Sequence, residues 1–277
     1  MKHIIKSMSI VSIIAAAMAS TMTAETGFAP VRGGRLYYEI EGTGDPIVFV
    51  HGNEGDCRHW DAQFEAFAKK FRVVRYDVRG FGRSSRPVEA EAYSDYADLA
   101  QLLDHLRIRT AHIAGWSMGS GIAVDFAIAH PERTRSLIPI GPWVNGQSSA
   151  ATAALIENMI KVGEIFARDG HAAALEAFMA TVLGATIRDA MAAEKFRRIA
   201  VDYSFCRQSG NFPQPLTPSA AGRLAEIRVP TFIMTAEHDV PACREASTLL
   251  GTSVPDARKV VMLGTGHLLH MEKPAEF

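Results

Sequence analysis

A serine framed by glycines, Gly115-Trp116-Ser117-Met118-Gly119, sits where a run of strand character, 110–114, gives way to a run of small residues, 120–130, that reads as a helix stopped by Pro131. Few junctions constrain a fold so tightly. A serine at a sharp strand-to-helix turn holds a backbone conformation that few residues tolerate, and its hydroxyl points out from the carboxyl edge of the sheet. Glycines two residues before and after it let strand and helix pass without Cβ clashes. The Met118 amide opens the helix and can face a negative charge developing beside the serine. The bare pentapeptide also arises by chance, so the flanking strand and helix carry the weight of the reading.

The rest of the chain agrees with such a junction. Residues 28–31 and 35–41, around Gly33-Gly34, read as an antiparallel hairpin. Residues 46–50 are a continuous apolar run, as in a strand buried on both faces. An amphipathic helix over 58–70 carries Trp60, Phe64 and Phe67 at helical spacing. A strand at 72–76 and a helix over 94–106, which Ser94 is placed to cap, come next. A strand at 136–140 follows the junction, with Pro139 awkward in it because proline lacks a donor. From 143 to 223 the alternation stops, and helical stretches cover about 148–168, 171–183 and 187–207. Strand signal resumes at 229–235, followed by a helix over 242–250 and a last strand at 258–263. Such alternation implies an α/β fold with a doubly wound, mostly parallel sheet and ligands at the carboxyl ends of its strands. The break reads as an inserted helical cap, 143–223, which divides the core into 25–142 and 224–277.

Composition narrows the class. A chain of 277 residues, 48% hydrophobic, is long enough to bury a core without disulfides. A formal net charge of −1 gives no electrostatic case for nucleic acid or an anionic membrane. Residues 1–24 stand apart. Lys2 and Lys6 precede an uncharged apolar run, 8–19, too short to span a bilayer comfortably, and Ala17-Met18-Ala19 offers a cleavage site, with Ala24 a second. This reads as a signal peptide, so a periplasmic or secreted protein with no stable membrane anchor after cleavage is expected. Cys57, Cys206 and Cys243 form no metal-binding pattern; unpaired thiols are expected, with a Cys206–Cys243 bridge as the alternative. No metal and no cofactor are called for.

A serine nucleophile needs a base, and the base needs an orienting acid. Of ten histidines, His267, just past the last strand in Leu263-Gly264-Thr265-Gly266-His267, is placed to reach Ser117. His270, one helical turn on, is expected to pack locally, and His51 to brace the loop after the 46–50 strand. His238 and His171 are expected at the surface, the latter at an exposed helix start. The acid should follow the strand after the insert, where Glu237 and Asp239 both stand; the deeper loop position and the nearby Pro241 favour Asp239.

The chain order Ser117, Asp239, His267 combines with His51-Gly52-Asn53, the loop Tyr76-Asp77-Val78-Arg79-Gly80-Phe81-Gly82-Arg83-Ser84, and Gly266-His267 before Glu272-Lys273-Pro274. On these pieces the sequence resembles the α/β-hydrolase superfamily over about 36–277, in its cap-bearing group of serine esterases, lactonases, carbon–carbon hydrolases and cofactor-free haloperoxidases. The resemblance implies an oxyanion hole formed by the backbone N–H groups of Asn53 and Met118, and a structural rather than catalytic 77–84 loop. The chain departs from the pattern in ending soon after Pro274, where relatives usually complete another helix. His51-Gly52-Asn53 also resembles the loop of haloalkane dehalogenases, but those enzymes need a carboxylate nucleophile and position 117 is serine.

The expected function is cleavage of a small to medium carboxylic ester through an acyl-enzyme on Ser117, His267 and Asp239. The partner is a small-molecule ester or lactone. The runner-up is lactone or carbon–carbon bond hydrolysis, or perhydrolysis, on the same triad. A non-catalytic ligand receptor is disfavoured, since a binding module has no need of all three residues. In the insert, Met159, Phe166, Phe178 and Met179 either wall an apolar pocket or form the insert's own core.

Overall fold

The computed structural model describes residues 24–88, 91–201 and 212–277. Residues 1–23 of the expected signal segment, and Cys206, lie outside the described residues.

Eight strands form one sheet: β1 (Glu25–Val31), β2 (Gly34–Glu41), β3 (Pro46–Val50), β4 (Arg72–Tyr76), β5 (Ala111–Trp116), β6 (Thr134–Ile140), β7 (Phe232–Ala236) and β8 (Arg258–Met262). Their spatial order is β1-β2-β4-β3-β5-β6-β7-β8. The hairpin β1–β2 joins β4 antiparallel, and every pairing from β4 to β8 is parallel. This is the doubly wound α/β sheet expected from the alternation. From β3 the chain moves outward to β4, then returns to lay β5 on the other side of β3. The loops after β3 and β5 therefore diverge, and a crevice opens at their carboxyl ends.

The helices α1 (Asp61–Ala68), α2 (Asp95–His105) and α3 (Met118–Ala129) come from the first half. Between β6 and β7 lie α4 (Ala150–Asp169), α5 (His171–Phe178), continued by a π-helical turn at Met179–Leu183, and α6 (Ala190–Val201). The helices α7 (Pro241–Ser253) and α8 (Leu269–Glu272) complete the chain. Alternate residues of β3 serve the two faces. Val48 and Val50 pack in a core with Leu99 of α2, Phe126 of α3 and Leu250 of α7. Ile47 and Phe49 join Phe64 of α1, and Phe178 and Phe196 from the α4–α6 segment, on the other face. A strand buried on both sides has no polar face, which explains the unbroken apolar run at 47–50.

Local departures have local causes. The helix expected over 58–70 begins as a 3-10 turn, Cys57–Trp60, because Asp56 accepts a hydrogen bond from the Arg58 amide and caps that tighter turn. Ser94 does precede α2, but its side chain makes no capping hydrogen bond. Pro139 leaves a gap in the ladder between β6 and β7. The Leu137 amide donates to Pro230 at 3.0 Å and the Gly141 amide to Met234 at 2.8 Å; at period two, the donor between them would be that of residue 139.

The 77–84 loop is structural, as its resemblance implied. The Asp77 carboxylate accepts from the Cys57 amide at 3.0 Å and from the Arg83 amide at 2.8 Å. Arg79 holds Asp98 of α2 in a two-pronged ion pair at 2.7 and 2.8 Å. Among the described residues no helix is long and apolar enough to cross a membrane.

Candidate active site

Ser117 sits at the end of β5 with φ 54° and ψ −119°, a conformation L-residues seldom adopt. Its surroundings over-determine that conformation. The Ser117 amide donates to Ile140 of β6 at 2.9 Å. A Cβ on Gly115 would lie 2.1 Å from the Gly119 carbonyl oxygen, and one on Gly119 would lie 2.3 Å from the Val50 carbonyl oxygen. Both glycines are thus required by close backbone approach, and α3 starts directly against the carboxyl end of β3.

His267 follows β8, and its Nε2 lies 2.9 Å from Ser117 Oγ. Its Nδ1 lies 2.6 Å from Asp239 Oδ1. Asp239 is 2% exposed. Oδ1 also accepts from the Val240 amide at 2.8 Å, and Oδ2 accepts from Thr235 Oγ1 at 3.2 Å and the Ala236 amide at 3.3 Å. Four donors thus converge on this buried carboxyl, and the shortest of these contacts fixes the orientation of the His267 ring. Glu237 is turned away, with Oε2 accepting from the Gly264 amide at 2.7 Å, so it shapes the turn before His267.

Asn53 and Met118 stand beside Ser117 in the wall of one cavity. The Asn53 side chain donates to Glu54 Oε1 at 3.0 Å. Glu54 is buried at φ 56°, and burial pushes its carboxyl well above the usual range. His51 bridges the same loop to the end of β4: Nδ1 lies 2.7 Å from the Gly52 oxygen, and Nε2 accepts from the Val78 amide at 2.9 Å. It braces the loop as expected. His270 packs against Trp60 and Trp116 with ring centroids 4.6 and 4.8 Å away, and burial drives its pKa well down. His238 is half-exposed, 3.7 Å from Glu237. His171 is not the exposed helix start the sequence suggested. It is half-buried against α6, where Gly170 turns the chain at φ 83° and directs the new helix inward.

The cavity over Ser117 has a volume of about 560 Å³. Its apolar side is α4, through Leu155, Ile156, Met159 and Ile160, and the neighbouring Phe178. Phe166 and Met179 are not in the wall; they pack into the core beneath. Of the four residues singled out in the insert, two therefore face the cavity.

Other residues of the site were given no individual role from the sequence. Trp116 Nε1 donates to the His267 carbonyl at 2.8 Å and fixes that loop. Glu272 accepts from the Gly266 amide at 2.6 Å and from the Arg188 amide at 3.0 Å, tying the His267 loop to the chain between α5 and α6. A Cβ on Gly141 would lie 3.2 Å from the His267 ring. Cys243 is free, buried and in the cavity wall, within 4.8 Å of the Asp239 and His267 donor atoms. Those two groups are already hydrogen-bonded to each other, and burial pushes the Cys243 thiol well up, which disfavours the thiolate a metal would need.

A family model described as the alpha/beta hydrolase family matches residues 47–277. The chain is 31% identical over 225 residues to a protein named putative carbamate hydrolase RutD from Azorhizobium caulinodans, covering 80% of this chain and 84% of that one. It is similar to the solved structure of a thermophilic esterase from Thermogutta terrifontis, at 26% identity and a TM-score of 0.73, over 92% of this chain and 94% of the other. It is likewise similar to a structure described as an N-acyl homoserine lactone degrading enzyme, at 27% identity and a TM-score of 0.70, over 91% and 97%.

Proposed function

The chain belongs to the alpha/beta hydrolase family, and from that premise we propose that it hydrolyses a small to medium carboxylic ester through an acyl-enzyme on Ser117. The observation that carries this reading is the unbroken pair of hydrogen bonds from Ser117 Oγ through His267 to Asp239. His267 Nε2 takes the hydroxyl proton as Oγ attacks the ester carbonyl. Asp239 keeps Nδ1 protonated and stabilises the imidazolium that forms. The amides of Asn53 and Met118 receive the oxyanion, and one such donor is typically worth about 3 kcal/mol in the transition state. His267 then returns the proton to the leaving alcohol, and water, activated by the same base, releases the acid. A lactone is the second reading; the likeness to the lactone degrading enzyme supports it, and a cyclic ester needs no different chemistry.

The test is covalent. A serine-directed phosphonate is expected to add one adduct, on Ser117, and to abolish p-nitrophenyl butyrate turnover in step with labelling. An adduct elsewhere would overturn the reading.

The segment 143–223 acts in this proposal as a cap that selects substrates and supplies no reacting group. Trimming Met159 on α4 enlarges the apolar side of the cavity. Met159→Ala is therefore expected to move the preferred acyl chain to a longer homologue, by about 10- to 200-fold in relative kcat/KM at most, since a methylene in such a pocket is worth only about 1–3 kcal/mol. A panel of p-nitrophenyl esters from acetate to decanoate reads this directly.

Export belongs to the same proposal. It rests on the n-region, the apolar run and the Ala-x-Ala site of residues 1–24. Amino-terminal sequencing of the protein from a periplasmic fraction is expected to begin at Ser20 or Glu25. A cytosolic protein beginning at Met1 would refute it.

A further inference from the structure

The wall of the cavity changes character along α3. Met118, Ile122 and Asp125 fall at i, i+4 and i+7 and so share one face of the helix, and all three line the cavity. The helix rises about 10 Å from Met118 to Asp125, which sets the carboxylate well away from Ser117. Asp125 is 3% exposed. Its Oδ2 accepts from Asn145 Nδ2 at 2.9 Å, and the Leu216 backbone also bears on the carboxyl, while Oδ1 is buried and has no close hydrogen-bond partner among the described residues. Asn145 is itself held by Trp143 Nε1 at 3.0 Å. Asp95 and Tyr96, at the start of α2, line the same cavity, and the Gln214 amide binds the Tyr93 carbonyl at 2.7 Å, which brings 213–215 alongside them.

Two carboxyl-bearing residues, Asp95 and Asp125, thus share a mainly apolar cavity wall with Tyr96 and Trp143. Among the described lining residues none is Lys or Arg. Burial pushes the Asp125 carboxyl up to about 6, with Asp95 adding to the rise; Asn145, the Leu216 backbone and Arg223 oppose it. Arg223 is engaged with Glu226 at 2.8 Å. An anionic group held this way is relieved by a cation, and aromatic residues in the same wall, Tyr96 and Trp143, suit an ammonium ion.

Building on the ester-hydrolase reading above, we infer that the Asp125 end of the cavity is a cation subsite, and that the preferred substrates are esters carrying an alkylammonium group. The separation from Ser117 corresponds to a spacer of roughly eight bonds from the scissile carbonyl.

The experiment compares kcat/KM within one protein for p-nitrophenyl esters of three eight-carbon acids: one ending in trimethylammonium, its tert-butyl isostere, and its hydroxyl analogue. A second set carries the same three end groups on the alcohol side of an acetate ester and is followed by titration of the acid released. The wild type is expected to favour the ammonium ester over the isostere by about 10-fold or more in one of the two sets, the size of a partly desolvated ion or cation–π contact. The ratio is expected to fall toward one in Asp125→Asn, which keeps the shape of the side chain, and to fall partway in Asp95→Asn. Ratios within a variant cancel any loss of folded protein. No preference in either set, or a preference that survives Asp125→Asn, would overturn the inference. So would an equal preference for the hydroxyl analogue, which would mark a neutral donor subsite. If no ester turns over, the ester reading fails on its own. The subsite is then decided by calorimetric binding of hexyltrimethylammonium to the Ser117→Ala protein, which Asp125→Asn is expected to weaken at least 10-fold; unchanged binding would overturn it.

Discussion

Ser117→Ala is expected to fold like the wild type and to lose ester turnover by about 10³-fold or more, because an oxyanion hole without a nucleophile leaves only residual catalysis. The fold is expected to survive for a structural reason. The Ser117 backbone is held by the hydrogen bond its amide donates to the Ile140 carbonyl and by the close passage of Gly119 under β3, and neither involves the hydroxyl. Alanine at φ 54° bears the same Cβ strain that serine already bears. The measurement is kcat on p-nitrophenyl butyrate alongside thermal unfolding. A folded variant with near-wild-type turnover would move the chemistry away from Ser117.

Asp239→Asn is expected to lose turnover by about 10³- to 10⁴-fold, on the scale of a triad whose histidine is left in the wrong tautomer. Four donors converge on this carboxyl: His267 Nδ1 and the Val240 amide on Oδ1, Thr235 Oγ1 and the Ala236 amide on Oδ2. An asparagine amide has only one acceptor oxygen. Either orientation sets its NH₂ against a backbone N–H, and one of the two also deprives Nδ1–H of its acceptor. Glu237→Gln is expected to stay within a few-fold of wild type, because Glu237 acts only on the Gly264 turn. The two variants assayed side by side decide the matter; the reverse ranking would mean that Glu237 is the orienting acid.

How much of this was legible in the sequence depends on the range of the interactions involved. Strand–helix alternation and the glycine-framed serine are short-range features, and they led directly to the sheet and to the turn at Ser117. The 3-10 start before α1 was missed because a single Asp56 side-chain bond decides it. His171 was misplaced because burial of a helix start depends on α6, nearly thirty residues on by its far end, and sequence periodicity carries no record of that docking.

The sequence by itself determined the α/β class, the chain order of Ser117, an acid in the 237–239 loop and His267, and the existence of a helical segment between β6 and β7, since each follows from local pattern and from residue types that chemistry demands. Only the tertiary structure decided which carboxylate faces His267, that Glu272 ties the His267 loop to the segment between α5 and α6, and that Met159 and Phe178 face the cavity while Phe166 and Met179 do not. It also decided the place of Asp125. In a helix apolar nearly all round, such as α3, no hydrophobic stripe reveals which side meets solvent, core or cavity, and the neighbours packed against each face make that choice.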